Sequence, residues 1–168
     1  MAEKILFRAK ELRAEKWIEG WYGMQCFGSW PLKHAICPAE DAINGCLRYA
    51  EIDPDTLGQY TGLNDKNGKK IFEGDLVDFF GNKAMVTFEC GTFGVYFDHG
   101  IDYDTMQQHI YDHTSTKNII HCCFNDNFIS LWEIIWNFNC EEYCCDVLEV
   151  IGNIHDNPEL LKGKKEGE

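Results

Sequence analysis

Short apolar segments separated by glycine-bearing turns run along most of this chain, and this spacing limits it to a β fold. Residues 86–88 and 95–97 alternate apolar and polar side chains, and the glycine-bearing link 89–92 between them predicts a hairpin. Many short strands joined by such turns are typical of a barrel or a sandwich, so we expect an all-β fold with few short helices. The predicted strands are residues 5–7, 17–22, 47–52, 57–61, 76–80, 84–89, 93–97, 119–124, 128–135 and 147–154.

The stretch GQYTGLNDKNGKKIFEGDLV, residues 58–77, has the composition of a ligand-binding loop as well as that of a turn. A phosphate-binding loop requires four residues between its glycines and then a lysine followed by a hydroxyl. Here five residues separate Gly62 from Gly68, and a second lysine stands where the hydroxyl belongs. A calcium loop that began at Asp65 would place Leu76 where a bidentate glutamate is required. Neither ligand loop fits.

The same stretch does fit a β-hairpin. Asn67-Gly68 is a strong tight-turn signal, because both residue types accept positive φ. We therefore predict a hairpin over residues 57–72 with Asn67-Gly68 in its turn and a positive φ at Gly68. Helical signals are weaker: one or two turns at 38–44 and at 104–113, and a short C-terminal helix that begins at Asn157-Pro158.

Composition indicates a packed globule of 168 residues, with 45% hydrophobic and 14% aromatic residues. The sequence has no run of about 18 apolar residues, so no membrane span is predicted. The N-terminal residues lack the apolar core of a signal peptide. Without an export signal, the nine cysteines are interpreted as reduced thiols of a cytoplasmic protein.

Charge is distributed unevenly along the chain. Residues 86–156 contain twelve acidic residues and a single base, Lys117. Proteins that bind nucleic-acid backbones concentrate cations, so direct nucleic-acid binding is not expected of this half. Any such contact would come from the N-terminal arm or from the loop with Lys66, Lys69 and Lys70. The acidic half is interpreted either as a solvated face or as a nucleic-acid mimic that binds a basic host protein.

Residues 58–77, together with ILFRAKE at 5–11 and LEVIGNIHDNPELL at 148–161, closely resemble the YopX-like family of phage and prophage proteins. The order and spacing of the three pieces match the family, so the resemblance extends over nearly the whole chain. The resemblance implies an all-β fold with an SH3-like barrel, and it implies no assigned biochemical activity.

From this resemblance we expect one compact β domain over residues 1–161. Residues 58–156 would form the barrel, with an elaboration at 98–145, and residues 1–57 would supply N-terminal strands packed on it. Residues 162–168 are expected to be a disordered tail.

One group of residues in the elaboration suggests a metal site. Cys140 and Cys144 have the spacing of paired zinc ligands, whereas the adjacent Cys122 and Cys123 would point to opposite faces of a strand. Buried core cysteines explain the same pattern, so no metal ligand is assigned. The candidate ligands are His121, Cys122, Cys123, Cys140, Cys144 and Cys145.

Other constellations are weaker. His109 and His113 would share a helix face, with Asp104 or Asp112 as a third ligand, but the glutamate of the catalytic motif is absent and surface histidines explain the pair. No serine has a nucleophile-elbow setting, and no catalytic or cofactor-binding residue is assigned.

The tryptophans suggest an aromatic binding groove, although we expect most of them to be structural. Trp132 and Trp136 share a face whether SLWEIIWNF is a helix or a strand. The five tryptophans are Trp17, Trp21, Trp30, Trp132 and Trp136.

The leading hypothesis is a non-enzymatic, prophage-encoded cytoplasmic protein that binds a host or phage macromolecule through its barrel surface, with self-association as a further expectation. The alternatives are a metal-dependent enzyme that uses the segment 98–145, and the acidic mimic described above.

Overall fold

The computed structural model describes residues 5–28, 30–39, 48–113, 127–140 and 144–161. Strands dominate these residues, and two short helices accompany them, so the all-β class is confirmed. The helices are α1, Tyr103–His113, and α2, Leu131–Phe138. The strands are β1 Phe7–Lys10, β2 Trp17–Gln25, β3 Lys33–Pro38, β4 Ala50–Glu51, β5 Gly58–Asp65, β6 Lys70–Phe72, β7 Asp75–Phe79, β8 Asn82–Glu89, β9 Thr92–Tyr96, β10 Phe128–Ser130, β11 Cys144–Cys145 and β12 Leu148–Asn153.

The chain divides into two compact units, Met1–Gly62 and Leu63–Glu168. In the first unit β1, β2, β3 and β4 pair in chain order and antiparallel, and the start of β5 pairs with β1. Ala9, Ile36 and Ile52 form its small core. At Gly20 the backbone of β2 lies so close to β3 that a Cβ would fall 1.9 Å from the carbonyl oxygen of Cys37.

The second unit is built on an antiparallel sheet in the order β10-β9-β8-β7-β12. Its apolar side chains form one core with the inner faces of the two helices. From α1 this core takes Met106 and Ile110, and from α2 it takes Leu131, Ile134 and Phe138.

Over the described residues this sheet is open, with β10 and β12 as its end strands, and no closed barrel is present. The SH3-like barrel implied by the resemblance therefore stays a prediction, and so does the single domain over residues 1–161. The predicted helix at 38–44 falls mostly, and the strand at 119–124 and the tail at 162–168 fall entirely, outside the described residues.

The predicted hairpin over residues 57–72 is confirmed, with β5 and β6 as its arms. The backbone N–H of Asp65 donates to the carbonyl of Lys69 at 2.7 Å, and the N–H of Gly68 donates to the carbonyl of Asp65 at 2.9 Å. Gly68 has a φ of 77°, as predicted. The hairpin over β8 and β9 is also confirmed.

Gly68→Val is expected to lower the free energy of unfolding by about 1 kcal/mol or more, because a β-branched residue resists the positive φ of this position. Urea denaturation followed by circular dichroism measures the change. Lys69→Val, one residue later in the same turn and also exposed, is the matched control. Equal midpoints for the two variants would show that the turn does not require glycine.

The predicted strand over residues 128–135 is wrong beyond Ser130, where the chain turns into α2. Ser130 Oγ accepts a hydrogen bond from the Glu133 backbone N–H at 3.1 Å, and the Glu133 carboxylate accepts from the Ser130 N–H at 3.2 Å. This reciprocal capping box satisfies two backbone donors that a helix start would otherwise leave open. A left-handed Asn139, with a φ of 53°, ends the helix.

Three other elements differ in how well the sequence predicted them. The helix predicted at 104–113 is confirmed as α1, while β3 was not predicted. A single 3-10 turn, Pro158–Leu160, stands where the C-terminal helix was expected. Asn157 does not cap it: its side-chain oxygen accepts from the backbone N–H of Asn153 at 3.4 Å.

Candidate functional site

Two tryptophans form an exposed pair on the outer side of α2. Trp132 is 59% exposed and Trp136 is 54% exposed, and their ring centroids are 5.4 Å apart. The i, i+4 spacing places the two side chains on one helix face. We call this pair, Trp132 and Trp136, the tryptophan face.

The exposure of the pair follows from the way α2 packs. Leu131, Ile134 and Phe138 are each at most 3% exposed and fill the core of the second unit. Trp132 and Trp136 lie on the side of this eight-residue helix opposite the buried stripe, and both are exposed. Large aromatic side chains left in solvent on a short helix are typical of a surface that binds another molecule.

Carboxylates lie at both ends of α2. Glu133 is in its first turn, and Asp146 lies beside Cys140, just beyond the helix C-terminus, with Asp146 Oδ1 2.9 Å from the sulfur. The described residues from 84 to 161 contain no lysine or arginine. The described residues from 84 onward therefore carry carboxylates that no lysine or arginine of the same ranges balances.

Helix α1 packs against α2 and carries further acids. The rings of His113 and Phe138 are 5.8 Å apart, which joins the C-terminal ends of the two helices. Asp104 and Asp112 are exposed. Asp102 has a different role: its carboxylate accepts from the backbone N–H and from the hydroxyl of Thr105, each at 2.7 Å. These hydrogen bonds lower the pKa of Asp102 and fix the start of α1.

Three of the predicted metal candidates, Cys140, Cys144 and Cys145, belong to the described residues, and they do not all gather at one point. Cys140 contacts Asp146, whereas the Cys144 thiol donates to the carbonyl oxygen of Asp65 at 3.6 Å. Cys145 is fully buried, and its contact with Cys140 and its burial raise the pKa of its thiol above the ordinary value. Across the described ranges, no group of three or more histidine, cysteine or acidic side chains could hold a metal ion. His121, Cys122 and Cys123 lie outside them.

His109 and His113 contact aromatic rings. His109 stacks on Phe80, with ring centroids 4.4 Å apart and an interplanar angle of 8°. His113 Nε2 lies 3.8 Å from an oxygen of Asp146, and the Asp112 carboxylate accepts from Gln108 Nε2 at 2.8 Å. The histidine pair with Asp104 or Asp112 is therefore not assembled as a metal site.

The glycine-rich stretch is held by its own buried carboxylate. Asp65 is 0% exposed, and its Oδ1 accepts from the backbone N–H groups of Asn67 at 2.8 Å and Lys69 at 2.9 Å. Its Oδ2 accepts from the N–H of Val150 in β12 at 2.8 Å. Because both carboxylate oxygens bind the protein's own backbone, the turn is a structural junction between β5, β6 and β12.

The first unit contains an open cleft of about 270 Å³. This volume lies below the range of roughly 300–1,000 Å³ that is usual for small-molecule sites. The Glu51 carboxylate in its lining is paired with Lys33 Nζ at 2.7 Å. The lining residues are Glu11, Arg13, Phe27, Arg48, Tyr49, Ala50 and Glu51.

The other tryptophans belong to the first unit. The Arg8 guanidinium carbon lies 4.7 Å from the ring centroid of Trp17, and Trp17 and Trp21 are half-buried. Trp30 is 79% exposed. With Trp132 and Trp136 also exposed, the expectation that most tryptophans are structural is wrong. Spacing alone could not reveal this, because it fixes a shared face but not the side on which the core lies.

A family model described as YopX protein matches residues 6–162, nearly the whole chain. A search of the curated proteins gives no significant match. None of the helices in the described residues combines the length and the apolar character needed to cross a membrane.

Proposed function

We propose, from the premise that the chain belongs to the YopX family, that it is a non-enzymatic protein that binds another protein through the tryptophan face. A phage or prophage origin, a cytoplasmic location and an SH3-like barrel belong to the same proposal, and the family resemblance supports the origin and the barrel.

The exposure of Trp132 and Trp136 carries the proposal. Tryptophan is among the residue types that contribute most to protein interfaces, since one side chain removes a large apolar area from water with little loss of conformational freedom. Leaving two adjacent tryptophans in solvent has no benefit for the fold of an isolated unit, because neither fills its core.

Pull-down from host cells with the tagged protein tests this function. Trp132→Ala combined with Trp136→Ala is expected to lose the proteins that the unchanged chain retains, as measured by mass spectrometry. Phe88→Ala is the matched control, since Phe88 is also aromatic, belongs to the same unit and is 52% exposed. The melting temperature of each variant verifies folding.

Two results would overturn the proposed function. Retention of every partner by the double tryptophan variant would place binding elsewhere on the surface. In the second result, the unchanged protein retains no other partner and self-associates in a way that the double variant abolishes. The tryptophan face would then be a contact between copies of this chain. Size-exclusion chromatography measures this self-association.

A further inference from the structure

The partner of the tryptophan face can be described by its charge. Between residues 86 and 156 the sequence has twelve acids and one base, and α2 has Glu133 in its first turn and Asp146 beside Cys140 just beyond its end. The excess of acids in this half of the chain would repel an approaching protein segment with negative charge at long range and would attract a cationic one.

The rings themselves favour the same partner. The face of an indole ring is electronegative and attracts a guanidinium or ammonium group within roughly 6 Å of its centroid. Trp132 and Trp136 are tilted by 50° with their centroids 5.4 Å apart, and both are more than half exposed. A cation can therefore approach the rings from the solvent.

We propose that the tryptophan face binds a cationic segment of a partner protein, with an arginine or lysine head group over the rings of Trp132 and Trp136. This inference rests on the proposed function and adds the chemistry of the partner. Binding of this kind needs both features. The acidic segment, residues 86–156, attracts a cation at long range, and the ring pair provides the contact that selects it.

Fluorescence anisotropy with a labelled octa-arginine peptide tests the proposal, and an octa-citrulline peptide of the same shape but without charge is the reference ligand. The unchanged protein is expected to bind octa-arginine more tightly than octa-citrulline. Trp132→Leu with Trp136→Leu should raise the Kd for octa-arginine about tenfold, since tenfold corresponds to about 1.4 kcal/mol, the scale of two exposed cation–π contacts. Phe88→Leu should leave the Kd unchanged.

Neutralising carboxylates tests the attraction separately. Asp98→Asn, Asp104→Asn and Asp112→Asn together should weaken octa-arginine binding severalfold at about 0.01 M salt and less at about 0.15 M, because screening shortens the range of exposed charges. Asp102 is kept because it fixes the start of α1. The charge-matched control changes three exposed acids outside the acidic segment: Glu15→Gln, Asp55→Asn and Glu159→Gln.

Each outcome decides one claim. Equal affinity for octa-arginine and octa-citrulline, or a leucine double variant that binds octa-arginine like the unchanged protein, overturns the cationic partner. If the alanine double variant nevertheless loses a partner in the pull-down, the proposed function stands and only its partner chemistry is wrong. If the peptide results are as expected but no pull-down partner depends on the tryptophans, the surface chemistry stands and the proposed function is overturned.

Discussion

Asp65→Ala is expected to lower the free energy of unfolding by about 3–5 kcal/mol. The buried carboxylate accepts three backbone N–H groups, from Asn67, Lys69 and Val150. Alanine would leave all three without this acceptor in a site that excludes water, and each such loss costs roughly 1–3 kcal/mol before the site relaxes. Urea denaturation measures the change.

Two further variants make this result specific. Asp65→Asn keeps one carbonyl oxygen but places an amide donor on the other side of the group, so a smaller loss of roughly 1–3 kcal/mol is expected. Asp98→Ala removes an exposed carboxylate of the same unit and should change stability by less than about 0.5 kcal/mol. If Asp65→Ala were as mild as Asp98→Ala, the turn would not depend on its carboxylate.

Gly20→Ala should destabilise the first unit by roughly 2–4 kcal/mol. A Cβ at this position would lie 1.9 Å from the carbonyl oxygen and 2.7 Å from the carbonyl carbon of Cys37, both of them backbone atoms. A flexible side chain could rotate away from such a clash, but here β2 and β3 would have to separate, and the register between them would be disturbed.

The same strand supplies the control. Gly23 lies three residues further along β2, and a Cβ there would meet nothing within 4 Å. Gly23→Ala is therefore expected to be neutral or slightly stabilising, because alanine reduces the freedom of the unfolded chain. Thermal unfolding by circular dichroism compares the two variants. Matching melting temperatures for Gly20→Ala and Gly23→Ala would rule out the close approach of β2 and β3.

Local chemistry explains which parts of the fold could be predicted from the sequence. The turn at Asn67-Gly68 depends on the φ preference of its own residues, so it was predictable. Ser130 and Glu133 are also a local signal for the start of α2, since they form its capping box. Apolar residues on both sides of the segment masked the helical periodicity, so a strand was predicted instead. By contrast, β3 contains Lys33, His34 and Pro38, and it becomes a strand by pairing along β2.

Candidate sites were harder to predict, because they depend on distant partners. Asp65 stands where a calcium loop would begin, whereas one donor to its carboxylate, the Val150 N–H, lies 85 positions later in the chain. The tryptophan face needed knowledge of which side of α2 is buried. Neither relation leaves a periodic mark in the sequence.

The junction at Asp65 also sets the order in which the protein can be completed during synthesis. As the chain leaves the ribosome, β7 and the Asp65 turn emerge long before Leu148–Asn153, the strand that pairs with β7 and supplies the Val150 N–H. Until that strand is made, the carboxylate lacks one of its donors and one side of β7 stays unpaired. The second unit therefore reaches its native state only after β12 has emerged, and the nascent chain exposes an unpaired strand edge during the interval.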